Sequence, residues 1–61
     1  MLLSEIIKFL EGQGHHSISA NSDRHGFTYF FSVLGTGEEK QYFKWDLHGS
    51  ELFQVGSAMM V

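Results

Sequence analysis

Phe27-Thr28-Tyr29-Phe30-Phe31-Ser32-Val33-Leu34, then Gly35-Thr36-Gly37-Glu38-Glu39, then Lys40-Gln41-Tyr42-Phe43-Lys44-Trp45-Asp46-Leu47, carries most of the aromatic residues of this 61-residue chain. Two alternating, aromatic-rich runs, Phe27–Leu34 and Gln41–Leu47, flank a glycine-punctuated break, the pattern of an antiparallel hairpin. Alternation puts Phe27, Tyr29, Phe31 and Val33 on one face of the first run. Gln41, Phe43, Trp45 and Leu47 share a face of the second. A loop of Gly35 to Glu39 sets Leu34 opposite Lys40. It then pairs Phe31 with Phe43, Tyr29 with Trp45 and Phe27 with Leu47. Cross-strand aromatic pairs stabilise a sheet most when they stack on one side. A one-residue slip would turn one strand's set to water.

Outward from the hairpin, Leu2, Leu3, Ile6, Ile7 and Leu10 recur at the three- and four-residue spacing of an amphipathic helix, with Phe9 at its margin. Ser4 is a candidate cap, and Gly12 and Gly14 mark the stop. A helix this short needs an apolar support, and the all-aromatic sheet face supplies it. His16–Ala20 alternates with period two and reads as a first strand; Asn21–Gly26 is a polar turn. His48-Gly49-Ser50 is the next turn, and Glu51–Val55 is a fourth strand. Gly56–Val61 reads either as an extension of that strand or as a free end. The expected fold is therefore α+β: one N-terminal helix on one face of a three- to four-stranded antiparallel meander, a single domain over residues 1–61.

Composition narrows the function. A domain of this size buries only about 60% of the surface its unfolded chain exposes. Without cysteine there is neither a disulfide nor a thiolate metal site, so self-association is the expected support. The lack of cysteine also fits a reducing cytoplasm. Leu2–Leu10 is too short to span a bilayer and has Glu5 and Lys8 within it. The net charge of −3, with only Lys8, Arg24, Lys40 and Lys44 basic, disfavours nucleic acid, whose binders neutralise phosphates with lysine and arginine.

Chemistry-bearing motifs are sparse. His15, His16, His25 and His48 have no HExxH spacing or companion carboxylate, so they read as solvated turn histidines and no metal or cofactor is expected. Ser22, Asp23 and His25 are the residue types of a nucleophile set, but such sets are not built from sequence neighbours, and no catalytic residue is expected. Gly35-Thr36-Gly37 lacks the lysine and helix of a phosphate loop.

The best lead is the second face of the hairpin, with Thr28, Phe30, Ser32 and Leu34 beside Tyr42, Lys44 and Asp46. Left wet by a one-sided helix, Phe30, Leu34, Tyr42 and Lys44 would form an apolar patch with a polar rim, a mark of interfaces. The expectation is a non-enzymatic protein-binding module, cytoplasmic and homodimeric, that acts by occupying the surface of a larger protein. Small, mildly acidic single domains of this kind are common among phage and mobile-element accessory and inhibitor proteins. The alternative is a single-stranded RNA-binding domain that stacks bases on Phe30 and Tyr42, with Lys44, Arg24 and Lys40 on phosphates.

The opening Leu2–His15 resembles in general shape the first helix and turn of the HicA-type toxins, small RNA-cleaving proteins. The resemblance ends there. Their Gly-Ser-His element does not occur, Arg24-His25-Gly26 being the nearest stretch, and the family's activity is not carried to this chain.

Overall fold

A computed structural model describes residues 2–60. Helix α1 spans Leu3–Gly12, followed by strands β1 (His15–Ser22), β2 (Thr28–Leu34), β3 (Lys40–His48) and β4 (Glu51–Met60). The strands pair antiparallel in chain order, β1-β2-β3-β4, so the sheet is an open meander with β1 and β4 at its edges. α1 packs on one face of the sheet, mainly beside β1. The expected α+β meander is thus the fold, in its four-stranded form.

The helix starts two residues earlier than a Ser4 cap would place it. Leu2 is the cap residue, and its N–H donates to the Glu5 carboxylate at 3.3 Å. Leucine has no oxygen to return the bond, so only half of a capping box forms. Ile6 and Leu10 are buried, Ile7 is half-buried, and Leu2, Leu3 and Phe9 are exposed. The buried stripe is therefore narrower than the apolar spacing implied. Gly14, at φ +93°, turns the chain out of the helix.

The hairpin register differs by one residue from the expected one. Leu34 faces Gln41, Phe31 faces Lys44, Phe30 faces Trp45 and Tyr29 faces Asp46. The loop that sets this register is closed by a turn in which Glu39 N–H donates to the Thr36 carbonyl at 3.2 Å. Gly35, at φ +90°, lies so close to the Glu39 carbonyl oxygen that a Cβ there would collide with it. Only glycine closes the hairpin in this way.

The slip exchanges the two faces of β2. Phe30 and Ser32 are wholly buried toward the helix, whereas Tyr29 and Phe31 face away from it, edge to face at 5.6 Å. The buried cluster is Ile6, Leu10 and Phe30, flanked by Ile18, Trp45, Leu47 and Leu52. The physical reason lies in Trp45. A buried indole N–H needs an acceptor, and in this register Trp45 Nε1 donates to Ser32 Oγ at 2.8 Å. The all-aromatic stack would have put Ser32 on the opposite face.

Two bulges shape the edges. The β1–β2 register shifts between His16 and Ser19, where Ser17 has φ +51°. The β3–β4 register shifts between Lys44 and Trp45, leaving Val55 as the extra residue of β4. The segment from Gly56 is a strand extension that pairs with β3 within the chain; Val61 lies outside the described residues.

Candidate functional site

The expected patch of Phe30, Leu34, Tyr42 and Lys44 is not one surface. Phe30 is 0% exposed and sits in the core, and Leu34 is half-buried on the same, helix-facing side. Tyr42 and Lys44 lie on the outer side, opposite Val33 and Phe31. The one-residue register difference separates them, because neighbours on a strand point to opposite faces.

The outer face has its own aromatic set. Phe31 is 45% exposed, Tyr42 37% and Phe53 47%. Tyr29 lies half-buried beside Phe31, and Lys44 Nζ stands 5.0 Å over the Tyr29 ring, a cation–π contact that holds the ammonium on the face. Among the described residues no helix covers this side. Phe53 reaches it from β4 through its pairing with Asp46 and is braced by His48 at 5.5 Å. Sequence reasoning missed Phe31 because it placed that ring in the core, and missed Phe53 because it read the hairpin alone.

At the turn end this face opens into a cleft of about 310 Å³ bordered by Asp23, Tyr29, Lys44, Asp46 and His48. Asp23 is held there by its own loop: its Oδ1 accepts from the backbone N–H of His25 at 2.8 Å and of Phe27 at 3.0 Å. Both of these bonds come from backbone N–H groups and neither from the His25 ring. Arg24 Nε donates instead to His25 Nε2 at 3.4 Å. The cleft is shallow, mixed in polarity, and walled by opposite charges on Lys44 and Asp46.

The inner face holds one further polar constellation. Ser32 Oγ accepts from Trp45 Nε1, so its own hydrogen is free to donate to His15 Nδ1 at 2.8 Å. His15 packs edge-on against Phe43 at 5.0 Å and Trp45 at 5.7 Å. Burial, and secondarily the neighbouring His16, hold the His15 pKa below the usual histidine value. A serine bonded to a histidine is the geometry of an activated nucleophile, but Ser32 is wholly enclosed, and no reacting atom reaches it.

His16 points the other way. Its Nε2–H donates to the Gly35 carbonyl at 2.6 Å, and its Nδ1 accepts from Ser17 at 3.0 Å. The histidines are thus dispersed over both faces of β1, the turn before β2 and the end of β3. Among the described residues no three of His, Asp and Glu stand close enough to share a metal ion. Among the same residues no helix is long and apolar enough to cross a membrane.

Comparison with protein-family models, with curated proteins and with solved structures finds no match to this chain.

Proposed function

We propose that this chain is a small, non-enzymatic protein-binding module that docks through the outer face of its sheet. The observation that carries the reading is the uncovered group of Phe31, Tyr42 and Phe53, with Tyr29 and Lys44 beside them. Exposed aromatics around one cation, with a polar margin, match the composition of interface centres. The mechanism is steric: the rigid face occupies a complementary surface on a larger protein. A cytoplasmic setting and a phage or mobile-element accessory role, as an inhibitor acting as a homodimer, complete the proposal.

The second reading is single-stranded RNA. One observation favours it: tyrosine and phenylalanine rings on an open sheet beside Lys44 can stack bases. The charge of −3 opposes it, because phosphate binding without lysine and arginine gains little from counterion release.

The test compares the chain with Phe31→Asp and Tyr42→Asp, both exposed, in capture from host lysate and in retention on heparin at low salt. The expected result is a captured protein lost in both variants, with flow-through on heparin. Salt-sensitive heparin retention, lost in Lys44→Ala, would transfer the face to RNA. Capture unchanged in both aspartate variants would overturn the outer-face site.

A further inference from the structure

The two edges of the sheet are unequal. β1 is interrupted by its bulge at Ser17 and carries the helix beside it. β4 is ten residues long, and its backbone pairs with β3 on one side only. Natural edges are blunted by lysine, proline, inward charges or bulges. β4 has the last of these, a single bulge at Val55, but from Leu52 to Met60 it holds no charged residue and no proline. The molecular surface of 4458 Å² also exceeds the roughly 4000 Å² expected of a compact chain of this mass.

The Val55 bulge fixes what a pairing of two such edges looks like. Removing Val55 from the ten residues leaves nine that alternate regularly against β3. An odd count has a central residue, and here it is Gly56. Laid antiparallel on itself over its full length, β4 sets Gly56 opposite Gly56, Gln54 opposite Ser57, Phe53 opposite Ala58 and Leu52 opposite Met59. Each of these pairs shares a face. Leu52, Gln54, Ser57 and Met59 follow Leu47, Trp45, Phe43 and Gln41 on the helix side, and Phe53 and Ala58 follow Asp46 and Tyr42 on the outer side.

We infer that β4 pairs with β4 of a second copy of this chain in that register, about a twofold axis through Gly56 and perpendicular to the sheet. The match is one of chemistry as well as count. Apolar Leu52 meets apolar Met59, polar Gln54 meets Ser57, and the large Phe53 ring meets the small Ala58. Glu51, the one charge of the strand, lies at opposite ends of the two copies, so no like charges meet. An eight-stranded sheet results, with both helices on one side and both aromatic faces continuous on the other. The contact is a strip of about 34 Å by about 10 Å per copy, less than half of the roughly 800 Å² per partner that a standard stable interface buries. The dimer is therefore one that dissociates on dilution.

This inference deepens the homodimer in the function proposed above and does not depend on what the outer face binds, since its variants lie on β4 and leave Phe31 and Tyr42 intact. Light scattering is measured over a dilution series from about 1 mM to about 1 μM. The expected result is a mass moving from two copies to one. Gln54→Lys with Ser57→Lys puts lysine opposite lysine twice and should weaken the dimer by roughly tenfold or more. Gln54→Lys with Ser57→Glu puts opposite charges there and should restore it. A mass of one copy throughout, or a dimer indifferent to both pairs, would overturn the inference.

A second measurement does not depend on those charges. The chain has no cysteine, so a single one placed at Gly56, on the proposed axis, can form a disulfide only with a second copy. A side chain has room there, the nearest atom to an added Cβ being Lys44 Cβ at 4.0 Å. Gly56→Cys should therefore oxidise to a covalent dimer. A single-copy band on a non-reducing gel would overturn the pairing.

Discussion

Ser32 shows how much one small polar side chain decides. It is wholly buried between a donor, Trp45 Nε1, and an acceptor, His15 Nδ1, each at 2.8 Å. Ser32→Ala removes the centre and leaves the indole N–H without a partner, which costs about 1–3 kcal/mol. Total stability for a chain of this length is roughly 3–9 kcal/mol. The midpoint of thermal unfolding should fall by roughly 4–24 °C, at about 4–8 °C per kcal/mol, and circular dichroism would register it. His15 adds a pH dependence. Its pKa is lowered in the folded chain, so the unfolded chain binds the extra proton more readily, and stability is lost as pH falls through about 6.5. A protonated His15 would donate from Nδ1, and the Ser32 hydroxyl hydrogen would lose its acceptor. Melts at pH 7.5 and pH 5.5 should differ, and His15→Gln should flatten the difference.

At the scale of elements, the helix, the polar turns and the alternating strands are legible because each depends on local chemistry. Gly12 and Gly14 punctuate the end of α1, and the expected turn Asn21–Gly26 is a turn only from Asp23, because Asn21 and Ser22 extend β1 opposite Tyr29 and Thr28. The continuation of β4 through Met60 is not local: Gly56 and Ser57 are poor strand formers, and they are held in the sheet by pairing with Lys44 and Phe43. The hairpin register was the costliest step. Both registers align alternating apolar faces, and they differ in whether Trp45 finds an acceptor. Stacking every ring on one side maximises aromatic contact and leaves that indole alone. The signal was a serine amid an apolar strand, across from tryptophan and phenylalanine. Tyr42 and Lys44 were placed on the outer face by alternation within β3 alone, and they are there. Phe30 and Leu34 depended on the register and so belong to the other side.

As a whole molecule the chain is thin, 34 × 23 × 14 Å, with one helix leaning toward β1 and every strand paired to its neighbour in sequence. One layer of helix over one layer of sheet leaves a small core, Ile6, Leu10 and Phe30, and a broad uncovered face. That uncovered face is the one the proposed docking would use.

The neighbour-to-neighbour strand order has a kinetic consequence. Each hairpin closes a short loop, so little chain entropy is lost before a contact forms, and such topologies fold fast. With no proline anywhere in the sequence, no isomerisation lasting tens of seconds can intervene. Stopped-flow refolding followed by Trp45 fluorescence should show one exponential, complete within about a second, with no slow tail. A chain of this kind has its working shape almost as soon as it leaves the ribosome.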